Sequence, residues 1–567
     1  MNNNWKNLAR TPESRNLRLR QVLPLVLLLV TALLAYSHNF SAEFVYDDYP
    51  FIVENPSIRT LSHPLRFFLD RESFSNKGEY VIYRPFAAIS FALNYALNGY
   101  SPASYHAVNI LLHAVCGLLV YLFFRQLFGH SVYAFFVSLL FLLHPVQTEA
   151  VSWISARGNS MFLAFLLLSL MCYRQWTADS EKKRVFYALA LMFAAFSLLA
   201  KEMAVVLPVL ILVHDFSVNR PEKAGEWRKR ISALLPFAAL SVLYILARHL
   251  VLGETKQMDY WGGSFWASSL TMIKAFAYYV RLMFMPRPLM VEYIVPIPQS
   301  LLQPTVMLSL LVLLTSALVW LISYRRIPAV GFGIAWFFGS LLPVSNIIPL
   351  QAILNERFLY LPSIGFCAAL AAPLLIVSKV ARPLAYKGMA LALGLIAFGY
   401  GLLTFDRNSD WRDSLSLWTA SVKASPLGTT SRYNLGLELY KRGQYDEAIE
   451  HLQIACRFQE HFPSAHGVLG NVYLAKGKWD AAIREYDIGL RQAPQDERML
   501  HNLALAWFEK GSAHAENHEN AQAVQCFLTA LGYQPEFTPA KEKLQQLRGA
   551  VKSESAAKEK PVQGSRL

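Results

Sequence analysis

Apolar and polar positions divide this chain of 567 residues into two regimes that meet near Ser409. Before it, long apolar runs alternate with short polar stretches; after it, no run of that length recurs. An apolar run of about 17–25 residues is what a helix needs to cross a bilayer. Eleven spans are read, several of them short: 21–38, 104–124, 131–145, 158–174, 185–200, 203–217, 231–250, 305–324, 329–345, 359–378 and 386–405. The stretch 265–285 is apolar but contains Lys274 and Arg281, and is read as a helix lying in the outer interface. The expected fold is all-α, a polytopic membrane protein of about eleven transmembrane helices followed by a second domain.

That second domain is repetitive. Steps of 34 residues lead from Gly436 to Gly470 and Ala504, the small-residue position of a tetratricopeptide repeat (TPR) first helix, and from Ala448 to Ala482 in the second helix. In the third repeat the corresponding alanine is Ala523, so about seven residues, within Ser512–Asn520, are expected to be inserted between its two helices, after which Phe527, Ala530 and Pro535 resume the pattern. Trp418 and Pro426 supply a preceding half repeat, and a closing helix is expected near Thr538–Arg548. Glu460 and Gly489 depart from the usual proline and alanine. The expected division is a basic cytoplasmic tail 1–20, a membrane domain 21–408 with a large outer loop 39–103, an α-solenoid of repeats 409–549, and a disordered tail 550–567.

Charge adds topology. The chain holds 53 Lys+Arg against 39 Asp+Glu, a net charge of +14, with only 16% charged and 54% hydrophobic residues, which excludes an ordinary soluble protein. Residues 409–567 carry 19 basic and 19 acidic side chains, so the positive excess belongs to the apolar part and no nucleic-acid partner is expected. The segments 1–20, 125–130, 174–184, 214–230, 325–326 and 379–387 hold 20 basic and 6 acidic residues and are assigned to the inside. If 265–285 crossed, the last two of these would move outside. With eleven spans the repeat domain is outside the cytoplasm. The first run lacks a small-x-small site and is read as an anchor rather than a cleaved signal. Five Cys without CxxC or CxxH spacing give neither a zinc signature nor a disulfide framework.

Ionisable residues gather at the outer ends of the spans. Asp47 and Asp48 follow the first span in FVYDDYPFIVENP; Arg84 stands in YRPF on the same loop; His144, Glu149 and Arg157 interrupt apolar runs; Lys201–Glu202 and Glu356–Arg357 occupy later outer turns. Each has a bland reading: Asp47 and Asp48 as solvated turn residues, Lys201–Glu202 as a structural ion pair, Arg357 snorkelling to headgroups. Together they place both signs of charge at membrane depth, where such groups are costly. Carboxylates at Asp47, Asp48 and Glu149 suit a general base, while Arg357, Arg84, Lys201, Arg157 and His144 suit an anionic phosphate, with Glu356 orienting Arg357. These parts fit transfer of a sugar from a membrane-embedded lipid phosphate to a hydroxyl, with inversion in one displacement. Asp47, Asp48 and Glu149 offer oxygen ligands to a divalent ion, yet basic residues neutralise a lipid monophosphate unaided, so no metal and no tightly bound cofactor is expected. Asn434 and Asn502 share one repeat position and are candidates for bonding an acceptor peptide, or merely solvate a helix. A transporter would place its charges near the bilayer midplane. A non-catalytic membrane-anchored TPR scaffold leaves the outer-face charges unexplained.

FVYDDYPFIVENP, YRPF, HPVQTEAVSWISARGNSM, LLAKE, ERFLYLPSIGF and RNSDWRDSLSLW, in this order and followed by TPRs, resemble the transmembrane and tetratricopeptide-repeat-containing O-mannosyltransferases and their bacterial relatives. The resemblance covers nearly the whole chain. It implies a GT-C-type glycosyltransferase using a polyprenyl-phosphate sugar, mannose by analogy, with a first-loop Asp at the catalytic centre, here Asp47 or Asp48, and Glu149 the second acidic position. The expected partners are that donor, membrane lipid and a protein acceptor held by the repeats. Having about three repeats and no Lys-Asp-Glu-Leu-type tail, the chain is expected in a bacterial plasma membrane with extracytoplasmic repeats, the endoplasmic reticulum membrane with lumenal repeats being the alternative.

Overall fold

The computed structural model describes residues 12–75, 82–178, 182–218, 220, 223–253, 258–380 and 382–547. The expected tail 550–567 and the first eleven residues lie outside them. The chain divides into two compact units, Met1–Leu417 and Trp418–Leu567. The described residues contain no β-strand.

The first unit is built from α1 (Pro12–Ala35), α2 (Arg66–Leu69), α3 (Pro85–Asn98), α4 (Pro102–Phe128), α5 (Ser131–Leu143), α6 (Thr148–Val151), α7 (Gly158–Thr177), α8 (Lys183–Ala200), α9 (Leu207–Ser217), α10 (Ala224–Leu252), α11 (Phe265–Phe284), α12 (Pro304–Arg326), α13 (Pro328–Ser340), α14 (Pro362–Ala371), α15 (Pro373–Lys379) and α16 (Pro383–Asp410). Proline opens many of these helices, where its missing N–H costs nothing and its fixed φ favours the first turn. Among the described residues seven helical stretches are long and apolar enough to cross a membrane, and an eighth arises if Ser131–Leu143 and Pro145–Val151, bent by 55°, form one span. These helices make the chain a multi-pass membrane protein.

Each of the eleven expected runs falls on a helix, but not all reach spanning length. The helices α5, α9 and α13 have 13, 11 and 13 residues, roughly 17–20 Å at 1.5 Å per residue, against a hydrocarbon core of about 30 Å. Each adjoins, at one end, a stretch broken into short helical turns and loop: 144–157, 201–206 and 341–357. Such backbone is tolerated at membrane depth only when protein surrounds it, and Gln147, Glu149, Arg157, Lys201 and Glu356 are all buried. The 65-residue loop, for its part, contains a helix that was not expected, α3, whose Ala88, Phe91 and Ala92 pack into the core.

The boundary falls within α17 (Ser414–Ala424); in the second unit α18 (Thr429–Lys441) with α19 (Tyr445–Phe458), α20 (Pro463–Ala475) with α21 (Trp479–Gln492), and α22 (Glu497–Glu516) with α23 (Asn520–Tyr533) form three helix pairs. A closing helix runs over 538–547. A Cβ on Gly470 would lie 2.5 Å from the Tyr486 ring, and one on Gly436 2.6 Å from Leu452, so glycine is what lets paired helices meet. The inserted residues lengthen α22 to 20 residues where α18 and α20 have 13. They also shift the turn: Gly443 and Gly477 take φ 76° and 68° in the first two repeats, while in the third the left-handed position is His518, φ 61°, seven residues past Gly511.

Candidate functional site

The segment after α1 is turned back by one side chain. The Asp48 carboxylate accepts from the Val45 N–H at 3.0 Å in its own turn and from the Ser155 N–H at 2.7 Å, 107 residues away. With Asp48 wholly buried, this doubly bonded group is a latch between the first loop and residues 153–155. Burial pushes its pKa up to about 7 although both N–H groups pull the other way. Inside the latched turn Tyr46 takes φ 52°, a left-handed conformation that strains a non-glycine residue by about 1–2 kcal/mol. Its ring stacks on Trp153 at 5.5 Å, and Asp47 remains half-buried beside it. The two neighbouring aspartates are thus held in different environments.

Three cations come from distant segments, Arg84 close enough to act on Asp47, Arg357 on Tyr46, and Lys201 beside both arginines, and each has a polar partner. Arg84, at the start of α3, forms a two-pronged pair with Glu202, Nε to Oε2 2.9 Å and Nη2 to Oε1 2.5 Å. Burial lowers the pKa of Arg84, but Glu202, Tyr244 and Asp47 together raise it more. Lys201 is buried and its ammonium donates to Asn159 Oδ1. Burial, with Arg84 and Arg357 close enough to add repulsion, holds its pKa well below the usual lysine range. Burial would raise Glu202, yet the charges of Arg84 and Lys201 and the hydrogen bonds to Arg84 hold it down to about 2. Gly158 allows the close packing here, since a Cβ would lie 3.0 Å from Ala200 O and 3.8 Å from Arg84 Cδ.

Arg357 is positioned by Glu149. One carboxylate oxygen accepts from the Arg357 backbone N–H at 2.8 Å and the other from its guanidinium, which lies over Trp153 at 5.2 Å with 26% of the side chain exposed. Expected to orient Arg357, Glu356 instead accepts from the Met290 N–H at 2.6 Å and the Tyr293 hydroxyl at 2.8 Å and faces Arg407 at 3.8 Å. Burial pushes its pKa upward.

Two candidate phosphate ligands, Arg157 and His144, are held inside the protein by other partners. Arg157 is fully buried, donating to Asn109 Oδ1 at 2.7 Å, Ser90 O at 3.2 Å and Tyr105 O at 3.1 Å over the Phe91 ring at 4.6 Å. Its donors are spent on joining α3, α4 and α7. His144 is likewise buried, with Nε2 donating to Met283 O at 3.0 Å and Nδ1 accepting from the Val146 N–H at 3.3 Å, so the ring fixes a chain bend. Glu149 has both oxygens engaged by Arg357, which makes it a holder rather than an available base. Against the bland reading of Lys201–Glu202 as an ion pair, Lys201 bonds Asn159 and Glu202 bonds Arg84. In the repeats, Asn434 donates back to Thr430 O at 2.8 Å within its own helix, and Asn502 donates to Asn471 Oδ1 at 2.8 Å.

Residues 407–412, within RNSDWRDSLSLW, join several of these segments. At the end of α16, Asn408 accepts from Ser152 Oγ at 2.6 Å and donates to Ala35 O at 2.8 Å, while Ser152 accepts from Asn39 at 3.0 Å. Arg407 pairs with Asp410 at 2.8 Å; Trp411 stacks on Trp153 at 6.1 Å; Arg412 O accepts from the Glu43 N–H at 2.8 Å. The sequence signal was the density of polar side chains, RNSDWRD, ending an apolar run.

Membrane spans and repeats thus define a multi-pass protein with a C-terminal TPR unit. The "TPR repeat" family model matches residues 436–477 and the "Tetratricopeptide repeat" model residues 468–516. Over the membrane part as well, the chain is 27% identical to Protein O-mannosyl-transferase TMTC1 of Homo sapiens across 498 residues, covering 77% of this chain and 55% of the relative. It is also 27% identical to Protein O-mannosyl-transferase F38B6.6 of Caenorhabditis elegans, covering 77% and 63%. The resemblance to the transmembrane and TPR-containing O-mannosyltransferases is thereby borne out, and the chain spans a little over half the length of these curated relatives. Among solved structures, ArnT from Cupriavidus metallidurans bound to undecaprenyl phosphate aligns over 81% of this chain and 79% of that one at 15% identity with a TM-score of 0.41, an overlap too loose to argue from.

Proposed function

We propose that this chain is a GT-C-like, membrane-embedded inverting glycosyltransferase that moves a sugar, mannose by analogy with its relatives, from a polyprenyl-phosphate donor to a hydroxyl of a protein acceptor on the outer face of a bacterial plasma membrane. The observation that carries the reading is the half-buried Asp47, in the strained turn latched by Asp48, within electrostatic reach of Arg84 and with Arg357 acting on Tyr46 of the same turn. In the proposed step Asp47 takes the hydroxyl proton as that oxygen bonds to the anomeric carbon. The bond from this carbon to the phosphate oxygen breaks on the opposite face, and lipid phosphate leaves as an anion. Arg357 and Arg84, each partly exposed, stabilise the departing charge, with Lys201 behind them. Glu149 and Asp48 hold the geometry. The chemistry needs no metal.

The short helices α5, α9 and α13 support a site sunk below the outer surface, at the depth of a lipid phosphate. The interfacial reading of α11 is supported by the bonds that it and the residues just before it make to the outer segment 346–355. Tyr260 and Trp261, just before it, donate to Ile347 O at 3.1 Å and Leu350 O at 2.9 Å; Met272 accepts from Asn346 at 3.2 Å; Tyr279 accepts from the Asn355 N–H at 3.2 Å. The repeats are assigned to the protein acceptor.

The test is label transfer from radiolabelled polyprenyl-phosphate mannose to a hydroxyl-bearing peptide by the purified protein, with and without EDTA. Transfer that survives EDTA and is lost in Asp47→Asn supports the reading. Wild-type turnover in Asp47→Asn removes the base, and chelator-sensitive transfer removes the metal-free step.

A further inference from the structure

Residues 407–412 reach both halves of the site. Arg407 faces Glu356, the neighbour of Arg357, at 3.8 Å, and Arg357 is the cation assigned to the donor phosphate. Asn408 ties Ala35 and, through Ser152, Asn39, fixing the exit of α1 from which the Asp47 turn springs. The Arg412 carbonyl takes the Glu43 N–H, four residues before Asp47, and Trp411 backs the Trp153 ring on which Tyr46 stacks and over which Arg357 lies. Two segments that share no neighbourhood in sequence are thus registered against one helix end. The supports are rigid because Asn408 is buried with its amide used on both sides, and Arg407 is buried with Asp410 fixing its other edge.

We propose that Asn408 and Arg407 are positioning residues for the transfer, Asn408 setting the Asp47 turn and Arg407, by anchoring Glu356, fixing the main chain from which the neighbouring Arg357 springs. The inference rests on Asp47 as base and Arg357 as phosphate ligand. A displacement of about 1 Å costs up to a hundredfold in rate, so Asn408→Ala is expected to lower kcat by about ten- to a hundredfold with donor KM little changed. Arg407→Met leaves Glu356 without its counter-charge and is expected to raise donor KM by roughly tenfold, with Arg407→Lys restoring part of the loss.

The decisive experiment is a pair of double-mutant cycles on full-length protein in detergent, with the donor-binding stoichiometry of each variant counted so that rates refer to folded enzyme. A residue acting through another loses its effect once the other is gone. Asn408→Ala should therefore cost no more than about twofold in the Asp47→Asn background, and Arg407→Met likewise in the Arg357→Gln background. Undiminished effects in those backgrounds, or wild-type kinetics in the single variants, overturn the proposal. If Asn408→Ala or Arg407→Met does not fold, Asn408→Asp and Arg407→Lys replace them in the same cycles. Wild-type turnover in Asp47→Asn refutes the base, and the Asn408 claim with it, while the Arg407–Arg357 cycle still decides the other half.

Discussion

Asp47 and Asp48 are adjacent in sequence, and Asp48→Asn tests whether their roles are as different as their surroundings. In the fold Asp48 titrates near 7, in the unfolded chain near its ordinary 3.8. The raised value means that ionised Asp48 opposes folding. Below pH 3.8 the group is protonated in both states and contributes nothing; between 3.8 and 7 the unfolded chain ionises first and stability falls; above 7 the full cost of about 4 kcal/mol is present. Asparagine carries no such cost but has one acceptor where two N–H groups, of Val45 and Ser155, need one each, a loss of about 1–3 kcal/mol at any pH. The amide variant is therefore expected to melt below wild type at pH 4.5 and to draw level with it or pass it by pH 8.5. Thermal melts of both full-length proteins in one detergent across that range measure the difference. Parallel curves would refute the buried, doubly bonded carboxylate. Activity supplies the second readout: Asp48→Asn should retain transfer within about tenfold, whereas Asp47→Asn should lose about 10²–10⁴. The reverse ranking would exchange the two assignments.

Arg357→Gln is expected to raise donor KM and lower kcat in steady-state transfer assays. Arg157→Gln should instead leave donor KM unchanged in the folded fraction while lowering yield and melting temperature, because it breaks the junction of α3, α4 and α7. Gly470→Ala should destabilise the repeat unit by about 1–3 kcal/mol, read as faster protease cleavage after residue 418 in the full-length protein, with donor binding retained. An alkaline phosphatase fused after Leu567, active only once exported, is expected to be active; an inactive one would mean that 265–285 crosses the membrane.

Helices were legible from sequence because apolar runs fix them, and the repeats because Gly436, Gly470 and Ala504 mark a contact that larger side chains forbid. Even the displaced turn was legible as an insertion, though not that it would lengthen α22. The site was legible as a set of positions and not as a set of partners. Nothing in the strings HPVQTE or SARG tells that His144 meets Met283 O or that Arg157 meets three groups on two other helices. Glu356 was paired with Arg357 by adjacency, but neighbours on a short helical turn point apart, and the carboxylate that reaches Arg357 comes from 208 residues away. The partners of residues 407–412 lie at 35, 43, 152, 153 and 356, separations at which one sequence carries no pairing information.

The way Glu149 grips Arg357 bears on how the two positions can change over time. An ordinary ion pair can be inverted, each residue taking the other's charge, because only side chains are involved. Here one of the two bonds ends on the main chain of residue 357, which offers its N–H whatever side chain it carries, proline excepted. A cation at 149 would face that N–H, donor against donor, so an exchange of charges would cost the backbone bond and compensate nothing. An acceptor at 149 is therefore required even where 357 drifts, and in a set of related sequences the acid should be the more invariant of the two.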